Sequence, residues 1–341
     1  MTDLLLDPWA EAVDEFPLLA TDEAKLRALV HYAVLAPSGH NTQPWKFRLH
    51  DGVLELRADR SRALPVCDPA DRELVISLGA ALFYLRIAAR RFGRHLLVET
   101  FPQPDDRDLV AVARLGPEEP PTMAERHLFA AIPRRRTSRF PFEDRVVTLP
   151  VADDLRRAVV AEGAWVCQVT DEHKSALADL VAEGDRRLLA DERFRHELAE
   201  WVHPNNSSHR DGVPGYAQGV GDVASLFGPF VVRNFDLGPT QAARDHDLAL
   251  AAPLLLVLGS SADEPADWLA TGQALARLLL TARDEGLHAS FLNQPIEVEE
   301  LRERLRALLG RPGVPQLVLR LGYGREVRPT PRRPVSDVLE T

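Results

Sequence analysis

The feature that most constrains the fold of this chain is a weak internal repeat. Residues 79–93 align without gaps on 272–286, with seven identities over 15 positions at an offset of 193. Two shorter matches follow the same order along the chain, namely 26–30 with 155–159 and 114–116 with 320–322. One match between helices rich in Ala, Leu and Arg arises easily by chance, but three in the same order favour duplication. The sequence therefore predicts two related halves, each with a helix, a strand, a long helix and a terminal strand.

Hydrophobic periodicity places helices and strands in both halves. Thr21 is a capping candidate for a first helix that Pro37 ends. Alternating apolar residues at 45–49 and 54–58, separated by a turn, predict a hairpin. The other predicted helices span 71–92, 123–131, 153–162, 264–285 and 298–309, and the other strands 96–101, 109–115, 164–170, 253–259 and 316–321.

Length and charge narrow the class of protein. The 341 residues are too many for one small domain, and 45% hydrophobic with 27% charged residues excludes a disordered or collagen-like chain. We expect an N-terminal extension at 1–20, a first half at 21–120 and a second half at 121–341. The 51 acidic residues outnumber the 41 basic ones, which gives a net charge of −10. This acidic balance disfavours nucleic acid as a partner.

Three features predict a cytoplasmic protein with no membrane partner. Cys67 and Cys167 are too few for a disulfide framework, lack metal-ligand spacing and are expected to be reduced, buried thiols. The N-terminus is acidic and has neither the basic nor the apolar region of a signal peptide. The longest apolar run, 248–258, is too short to cross a bilayer.

Residues 203–238 differ in character from the rest of the second half. They begin with a Ser/Asn-rich stretch and contain several glycines. A connector of this length inside a compact domain is usually functional, often as a lid, and is otherwise a mobile segment. We predict that 203–238 forms a lid over a site.

The first chemically distinctive segment is the loop Ala36-Pro-Ser-Gly-His-Asn-Thr-Gln-Pro-Trp45. We expect Gly39 to adopt a positive φ, with prolines constraining the loop at both ends. Ser38, Asn41 and Gln43 would then present a hydroxyl and amides to the edge of a planar polar heterocycle. A capping turn made of ordinary turn residues is an equally weighted interpretation.

The second distinctive segment is Arg134-Arg-Arg-Thr-Ser-Arg139. Four guanidinium groups around two hydroxyls match the oxygens of a phosphate, and this cluster reverses the sign of an acidic chain. A solvated basic turn would be the better interpretation if the segment stood alone.

Other motifs do not support a different chemistry. The G-x-G-x-x-A pattern at 219–224 follows no predicted strand. A dinucleotide-binding motif must follow a strand, so this pattern does not indicate a dinucleotide-binding fold. The sequence has no phosphate-binding P-loop, no H-E-x-x-H and no G-x-S-x-G elbow. His203 and His209 have no evident carboxylate partner, so we predict a surface role for them and no metal site.

Together, the A-P-S-x-x-N-x-Q-P-W and R-R-x-T-x-R patterns resemble those of the flavin-binding nitroreductase superfamily. Its members are usually homodimers in which the arginine motif of one subunit grips the FMN phosphate and the loop comes from the other. Here the order of the motifs is inverted, because the first half keeps the loop and the second half keeps the arginines. The chain thus resembles the single-chain, pseudo-dimeric Acg-type branch over nearly its whole length. The resemblance implies a nitroreductase-like α+β fold with central mixed sheets flanked by helices, and one FMN site per chain.

The resemblance also implies which residues bind the flavin. The phosphate and ribityl motif is matched by Arg135, Thr137 and Arg139, and the loop from the other half by Pro37, Ser38, Gly39 and Asn41. Segment 287–297 takes the place of a family stretch whose backbone N–H groups face flavin N5 and O4. This register puts three residues against the isoalloxazine, namely Leu292, Asn293 and Gln294, with Asn293 where the family commonly has Glu. In the late basic motif, Arg332 is the first choice for the phosphate and Arg333 the second.

The activity implied is hydride transfer from NAD(P)H through flavin N5 to a nitroaromatic or quinone-like acceptor. The flavin would carry this chemistry, so no catalytic side chain is assigned. Two alternatives stay open: a flavin-sequestering protein whose lid closes the site, and a cofactor-free interaction protein that inherited the fold. A monomer is expected, because the usual subunit interface would already be joined within one chain.

Overall fold

A computed structural model of the chain describes residues 8, 9 and 20–340. Apart from residues 8, 9 and 20, the predicted N-terminal extension lies outside this range. The first half begins with a helix that Thr21 caps, since its Oγ1 accepts a hydrogen bond of 3.3 Å from the N–H of Ala24. Its elements are α1 (Asp22–Ala33), β1 (Trp45–His50), β2 (Val53–Ala58), α2 (Arg72–Arg91), β3 (Arg94–Thr100) and β4 (Leu109–Glu118).

The second half contains more elements than the first. They are α3 (Met123–Ala131), α4 (Leu149–Val160), β5 (Trp165–Gln168), α5 (Asp171–Ala190), α6 (Glu192–Glu200), β6 (Val202–His203), β7 (Val213–Pro214), α7 (Asp222–Ser225), α8 (Gly228–Asn234), α9 (Gly238–Leu250), β8 (Leu254–Ser260), α10 (Pro265–Asp284), β9 (His288–Phe291), α11 (Gln294–Glu297), α12 (Glu299–Leu309), β10 (Val314–Gly322), α13 (Val335–Val338) and β11 (Leu339–Glu340).

Two larger sheets organise these elements, and β6 and β7 form a separate two-stranded parallel sheet. The first has the order β11-β1-β2-β4-β3, and the second has the order β5-β8-β10-β9. Most neighbouring strands are antiparallel, but β1 and β11 run parallel, with Phe47 opposite Leu339. Helices pack against both sheets, so the predicted α+β class with helix-flanked sheets is confirmed.

The two helices of the sequence repeat, α2 and α10, pack against each other at equivalent glycines. A Cβ on Gly79 would lie 2.2 Å from the carbonyl oxygen of Leu269, and one on Gly272 would lie 2.0 Å from that of Ile76. The offset of 193 that relates the two glycines also relates Ile76 to Leu269. Reciprocal contact of this kind is the mark of a two-fold interface. Duplication stays a prediction, and this reciprocity is the structural observation that favours it.

The C-terminal segment returns from the second sheet to the first. Residues 323–334 form no helix or strand, and α13 and β11 then pack beside β1. Strand β11 therefore adds a fifth strand to a sheet otherwise built by the first half. The return of the C-terminal segment to the first sheet places Arg332 and Arg333 near the loop at 36–45. The boundary between the halves at residues 120 and 121 remains a prediction.

Residues 203–238 are more regular than the sequence suggests. They contain β7 and the short helices α7 and α8, and α9 begins at the last residue of the range. Prolines and glycines at the starts of α8 and α9 hid the helical pattern, because these residues read as loop signals. Within 20–340, every helix is too short or too polar to cross a bilayer.

Candidate functional site

A cavity of about 530 Å³ collects nearly all of the predicted site residues. Both halves line it, the first with the loop at 36–45 and the second with the arginine segment and the β9–α11 connection. The predicted residues that line it are Pro37, Ser38, Gly39, Asn41, Arg135, Thr137, Arg139, Asn293, Gln294 and Arg332. Leu292 is buried in the core of the second half, and Arg333 lies outside the cavity lining.

The loop at 36–45 holds an unusual backbone conformation. His40, Asn41 and Gln43 have φ values of 46°, 59° and 52°, a region that side-chain-bearing residues seldom adopt. The expectation that Gly39 adopts a positive φ is wrong, since the positive values of this loop fall on the three residues just named, and the N–H of Gly39 donates to Ser77 Oγ at 3.3 Å. Ser38 Oγ accepts from the N–H of Gln43 at 2.9 Å and closes the turn. Backbone strain of this kind persists where surrounding contacts hold it, and it clusters at ligand sites.

Asn41 is a positioning residue whose hydrogen bonds go to the protein. Its Nδ2 donates to the carbonyl oxygens of Gly212 and Pro331 at 2.9 and 3.1 Å. Its Oδ1 accepts from Arg332 Nη1 at 2.7 Å. The sequence suggested an amide offered to a ligand, but Asn41 instead orients Arg332 and ties two distant segments to the loop.

The side chain of Gln43 also bonds to the protein, and one of its hydrogen bonds positions the backbone of Arg333. Gln43 Nε2 donates to the carbonyl oxygen of Arg210 at 2.9 Å, and its Oε1 accepts from the N–H of Arg333 at 2.8 Å. The Arg333 side chain donates to the carbonyl oxygen of Asp337 at 2.7 Å. Arg333 thus fastens the C-terminal segment to the loop.

Four arginines line the cavity, namely the three predicted ones, Arg135, Arg139 and Arg332, and also Arg244. Arg135 is 4% exposed and Arg332 is 3% exposed, yet within the described part of the chain none of the three forms an ion pair. Buried N–H groups without a partner there include Arg135 Nε and Nη1, Arg139 Nη1 and Arg332 Nε. Burial lowers the pKa of Arg332 to about 9, with Arg135 adding to the effect, and burial lowers the pKa of Arg139 to about 10.

Local structure fixes these arginines at their positions. The N–H of Arg135 donates to the carbonyl oxygen of Ala131 at 2.9 Å, at the end of α3. Thr137 forms a parallel bridge with Ala289 of β9, and the N–H of Ser138 donates to the same residue's carbonyl oxygen at 2.9 Å. The arginine segment therefore lies along the strand that leads into 292–294.

The β9–α11 connection presents backbone donors to the cavity. The N–H of Leu292 is used by the carbonyl oxygen of Val318 at 2.9 Å, and Asn293 Oδ1 accepts from the N–H of Val318 at 3.0 Å. Among residues 20–340, none accepts a hydrogen bond from the backbone N–H of Asn293 or Gln294. Both residues line the cavity, and their backbone N–H groups have no acceptor within this part of the chain.

A pair of carboxyl groups flanks this connection. Gln294 Nε2 donates to Asp185 Oδ1 at 3.0 Å and to Asp245 Oδ2 at 2.9 Å. Burial raises the pKa of Asp185 to about 7, and the charge of Asp245 adds to the effect. Gly184 makes this approach possible, because a Cβ there would lie 2.7 Å from Gln294 Cβ. Sequence reasoning missed these acids, since they stand on helices far apart along the chain without a motif.

The second half also contributes a mixed apolar and polar lining. The apolar residues from α5, α6 and the 202–237 segment are Leu188, Leu189, Phe194, Leu198, Val202, Val213, Val220, Val231, Val232 and Leu237, and the polar ones from 202–244 are His203, Gln218, Ser225, Gln241 and Arg244. In 20–340, no cluster of three or more His, Cys, Asp or Glu side chains is arranged to hold a metal ion.

Fold and site define an α+β protein with an arginine-lined cavity to which residues of both sheet-forming halves contribute. The family model named Nitroreductase family matches residues 132–323. A "Putative NAD(P)H nitroreductase Rv3131" of Mycobacterium tuberculosis is 32% identical over 335 residues, covering 94% of this chain and 92% of that protein. The "Putative NAD(P)H nitroreductase acg" of the same species is 30% identical over 321 residues, covering 92% and 94%. The chain belongs to the nitroreductase family.

A solved nitroreductase structure is less similar to this chain. The FMN and NADPH-dependent nitroreductase NfnB of Sphigopyxis sp. strain HMH is 21% identical, and the match covers 63% of this chain and 98% of that one at a TM-score of 0.43.

Proposed function

We propose that this protein is an FMN-dependent oxidoreductase that passes electrons from NAD(P)H to a nitroaromatic or quinone-like acceptor. The observation that carries the proposal is the set of unpaired guanidinium N–H groups around the cavity. An isolated buried charge is costly, and proteins retain one where a partner of opposite charge binds. A phosphate offers oxygens to several such donors at once.

The residues present fit the phosphate of FMN. Arg135 and Arg139 would meet it from the second half, and Arg332 would meet it from the C-terminal segment, oriented by Asn41. Four buried N–H groups without partners then receive acceptors. Family membership favours FMN over other phosphate ligands.

The flavin ring would lie toward the β9–α11 connection. The free backbone N–H groups of Asn293 and Gln294 are fixed donors there, and such donors stabilise charge that develops on a ligand. Ser38 lines the cavity from the other half. FMN held in this way supplies a reversible two-electron carrier, and the protein orients it.

One observation favours the alternative of a flavin-sequestering protein. The 203–238 segment is tied to the loop at 36–45 by Asn41 and by Gln43. It is also tied through Arg62, which donates to the carbonyl oxygen of Thr42 and forms an ion pair with Asp211. The base of this predicted lid is therefore fastened in place, which would slow entry of a nicotinamide. Residues 219–237 beyond it carry no such ties to the loop and could open.

Two measurements test the proposal. The purified protein is expected to show the visible absorbance of bound oxidised flavin, and FMN is expected to be released on denaturation. Steady-state oxidation of NAD(P)H with menadione or nitrofurazone then separates enzyme from sequestering protein. Full flavin content without turnover would favour sequestration. A colourless protein that takes up no FMN would contradict both the enzyme and the flavin-sequestering protein, and it would favour a cofactor-free interaction protein.

We also infer that one chain carries a complete site. Asn41 of the first half and Arg135 of the second reach the same cavity. A second copy is not needed to complete it, so a monomer is expected by light scattering, and an obligate dimer would contradict this inference.

A further inference from the structure

Trp9 lies in the predicted N-terminal extension and contacts two arginines, one of which lines the cavity. Its Nε1 donates to the carbonyl oxygen of Thr330 at 2.9 Å, and its ring packs against a hydrophobic core built mainly by the first half. The guanidinium carbon of Arg136 lies 3.9 Å from the centroid of the indole ring, and that of Arg332 lies 5.0 Å from it. One indole ring therefore contacts cations from two distant parts of the chain.

The two arginines that Trp9 contacts belong to a like-charged group with Arg135. Burial lowers the pKa of Arg332, and the charges of Arg135 and Arg136 lower it further. Burial and then the charge of Arg135 lower the pKa of Arg136 to about 10. Among the described residues, no carboxylate forms an ion pair with any of the three. Because the face of an indole ring attracts cations, Trp9 offsets part of the repulsion between Arg136 and Arg332.

The guanidinium group of Arg332 is held in one orientation by several contacts. Its Nη1 donates to Asn41 Oδ1 at 2.7 Å and to Thr330 Oγ1 at 2.8 Å, and its Nη2 donates to the carbonyl oxygen of Ala36 at 3.3 Å. Its buried Nε has no partner among the described residues. Trp9 covers the same guanidinium group and bonds to the backbone of the threonine whose hydroxyl accepts from it. Trp9 thus helps to fix the direction of the unpaired N–H group.

We propose that Trp9 makes the cavity selective for a flavin that carries a phosphate. This inference rests on the proposed function and assigns a further residue to the same site. Trp9 is a positioning residue that acts through the arginines, because its ring keeps Arg136 and Arg332 together and keeps water from the side that it covers. Water admitted there would hydrate both cations and weaken their attraction for phosphate, since interactions between charges are stronger in dry surroundings.

The test compares FMN with riboflavin in calorimetric titrations of wild-type protein and of Trp9→Leu, each freed of flavin. Leu keeps an apolar contact with the core but lacks an aromatic face. The variant is expected to bind FMN about 5- to 30-fold more weakly, as expected from the loss of two cation–π contacts, and to bind riboflavin as the wild type does. Trp9→Phe keeps an aromatic face without the N–H group and should retain most of the selectivity for FMN.

Trp165 provides a matched control outside the cavity lining. Its Nε1 donates to the carbonyl oxygen of Ser260 at 2.8 Å, and the guanidinium carbon of Arg311 lies 4.1 Å from its ring centroid. Trp165→Leu removes the same two kinds of contact and should leave the affinity for both ligands unchanged.

Two results would overturn this inference and leave the proposed function standing. One is a selectivity for FMN that Trp9→Leu keeps in full, and the other is an equal loss of affinity for FMN and riboflavin in that variant. Wild-type protein that binds FMN no more tightly than riboflavin would overturn the phosphate assignment of the proposed function as well.

Discussion

Replacing Arg135 by Met tests whether this arginine binds the flavin phosphate or stabilises the fold. The side chain is 4% exposed, and its Nε and Nη1 have no hydrogen-bond partner among the described residues. In the ligand-free protein, this charge is therefore a cost to folding, whereas in the FMN complex it would be paired. The variant should lose flavin affinity without losing stability.

The expected changes in FMN affinity and in the free energy of unfolding follow from the guanidinium N–H groups of Arg135 that have no partner. A hydrogen bond to a charged group contributes about 1.5–3 kcal/mol, so Kd for FMN should rise about 10- to 150-fold. An unsatisfied buried polar group costs about 1–3 kcal/mol, so the free energy of unfolding of the ligand-free variant should stay equal or rise by that order. Met keeps most of the side-chain volume, which limits the cavity that the change leaves.

The assay pairs fluorescence titration with FMN and urea unfolding of ligand-free protein. Arg90 provides the control, since it is 7% exposed but bonds Glu125 at 2.7 Å. Arg90→Met should lower the free energy of unfolding by about 1.5–3 kcal/mol, because it removes the charge-assisted hydrogen bonds to Glu125, and should leave flavin affinity unchanged. If Arg135→Met destabilises the protein as much as Arg90→Met and still binds FMN normally, the phosphate assignment is refuted.

Three further variants test the fold, the titrating groups and the loop. Gly79→Ala brings a Cβ to 2.2 Å from a backbone carbonyl oxygen and should cost at least about 1–3 kcal/mol in urea unfolding, whereas Gly221→Ala, with nothing within 4 Å, should be silent. Burial raises the pKa of Asp185 from 3.8 to about 7, so the folded state binds its proton more tightly, and ligand-free stability should fall as pH rises between these values. Asp185→Asn should flatten that slope in thermal denaturation across pH, and an unchanged slope would contradict the assignment. Asn41→Ala should weaken FMN binding and speed proteolytic cleavage within 203–238, and an unchanged digestion pattern would show that the segment is not anchored there.

Elements that depend on local pattern were predictable from the sequence. The helix expected at 71–92 is observed at Arg72–Arg91, and the helix expected at 264–285 is observed at Pro265–Asp284. The hairpin of β1 and β2 and the helix at 123–131 also lie where periodicity placed them. Strands β9 and β11 were not predicted. They have four and two residues, and their pairing partners are non-local.

The site assignment stays a prediction, but the structure shows which of its residues share one cavity and which of them bond to the protein itself. Ten of the residues expected from the motifs line one cavity. Motif spacing did not show that Asn41 would be used by the protein itself, because Gly212 and Pro331 are brought to it only by tertiary folding. The positive φ at His40, in place of Gly39, likewise depends on contacts that hold the loop. Asp185 reaches Gln294 across two helices, and no local pattern signals that approach.

The affinity for FMN compared with riboflavin tests the central claim most directly. The two ligands share the ring and the ribityl chain and differ only in the phosphate that Arg135, Arg139 and Arg332 are assigned to hold. With two or more charged hydrogen bonds at about 1.5–3 kcal/mol each, FMN should bind at least about 100-fold more tightly than riboflavin in calorimetric titration. Equal affinity for the two ligands, or no affinity for either, would contradict the account.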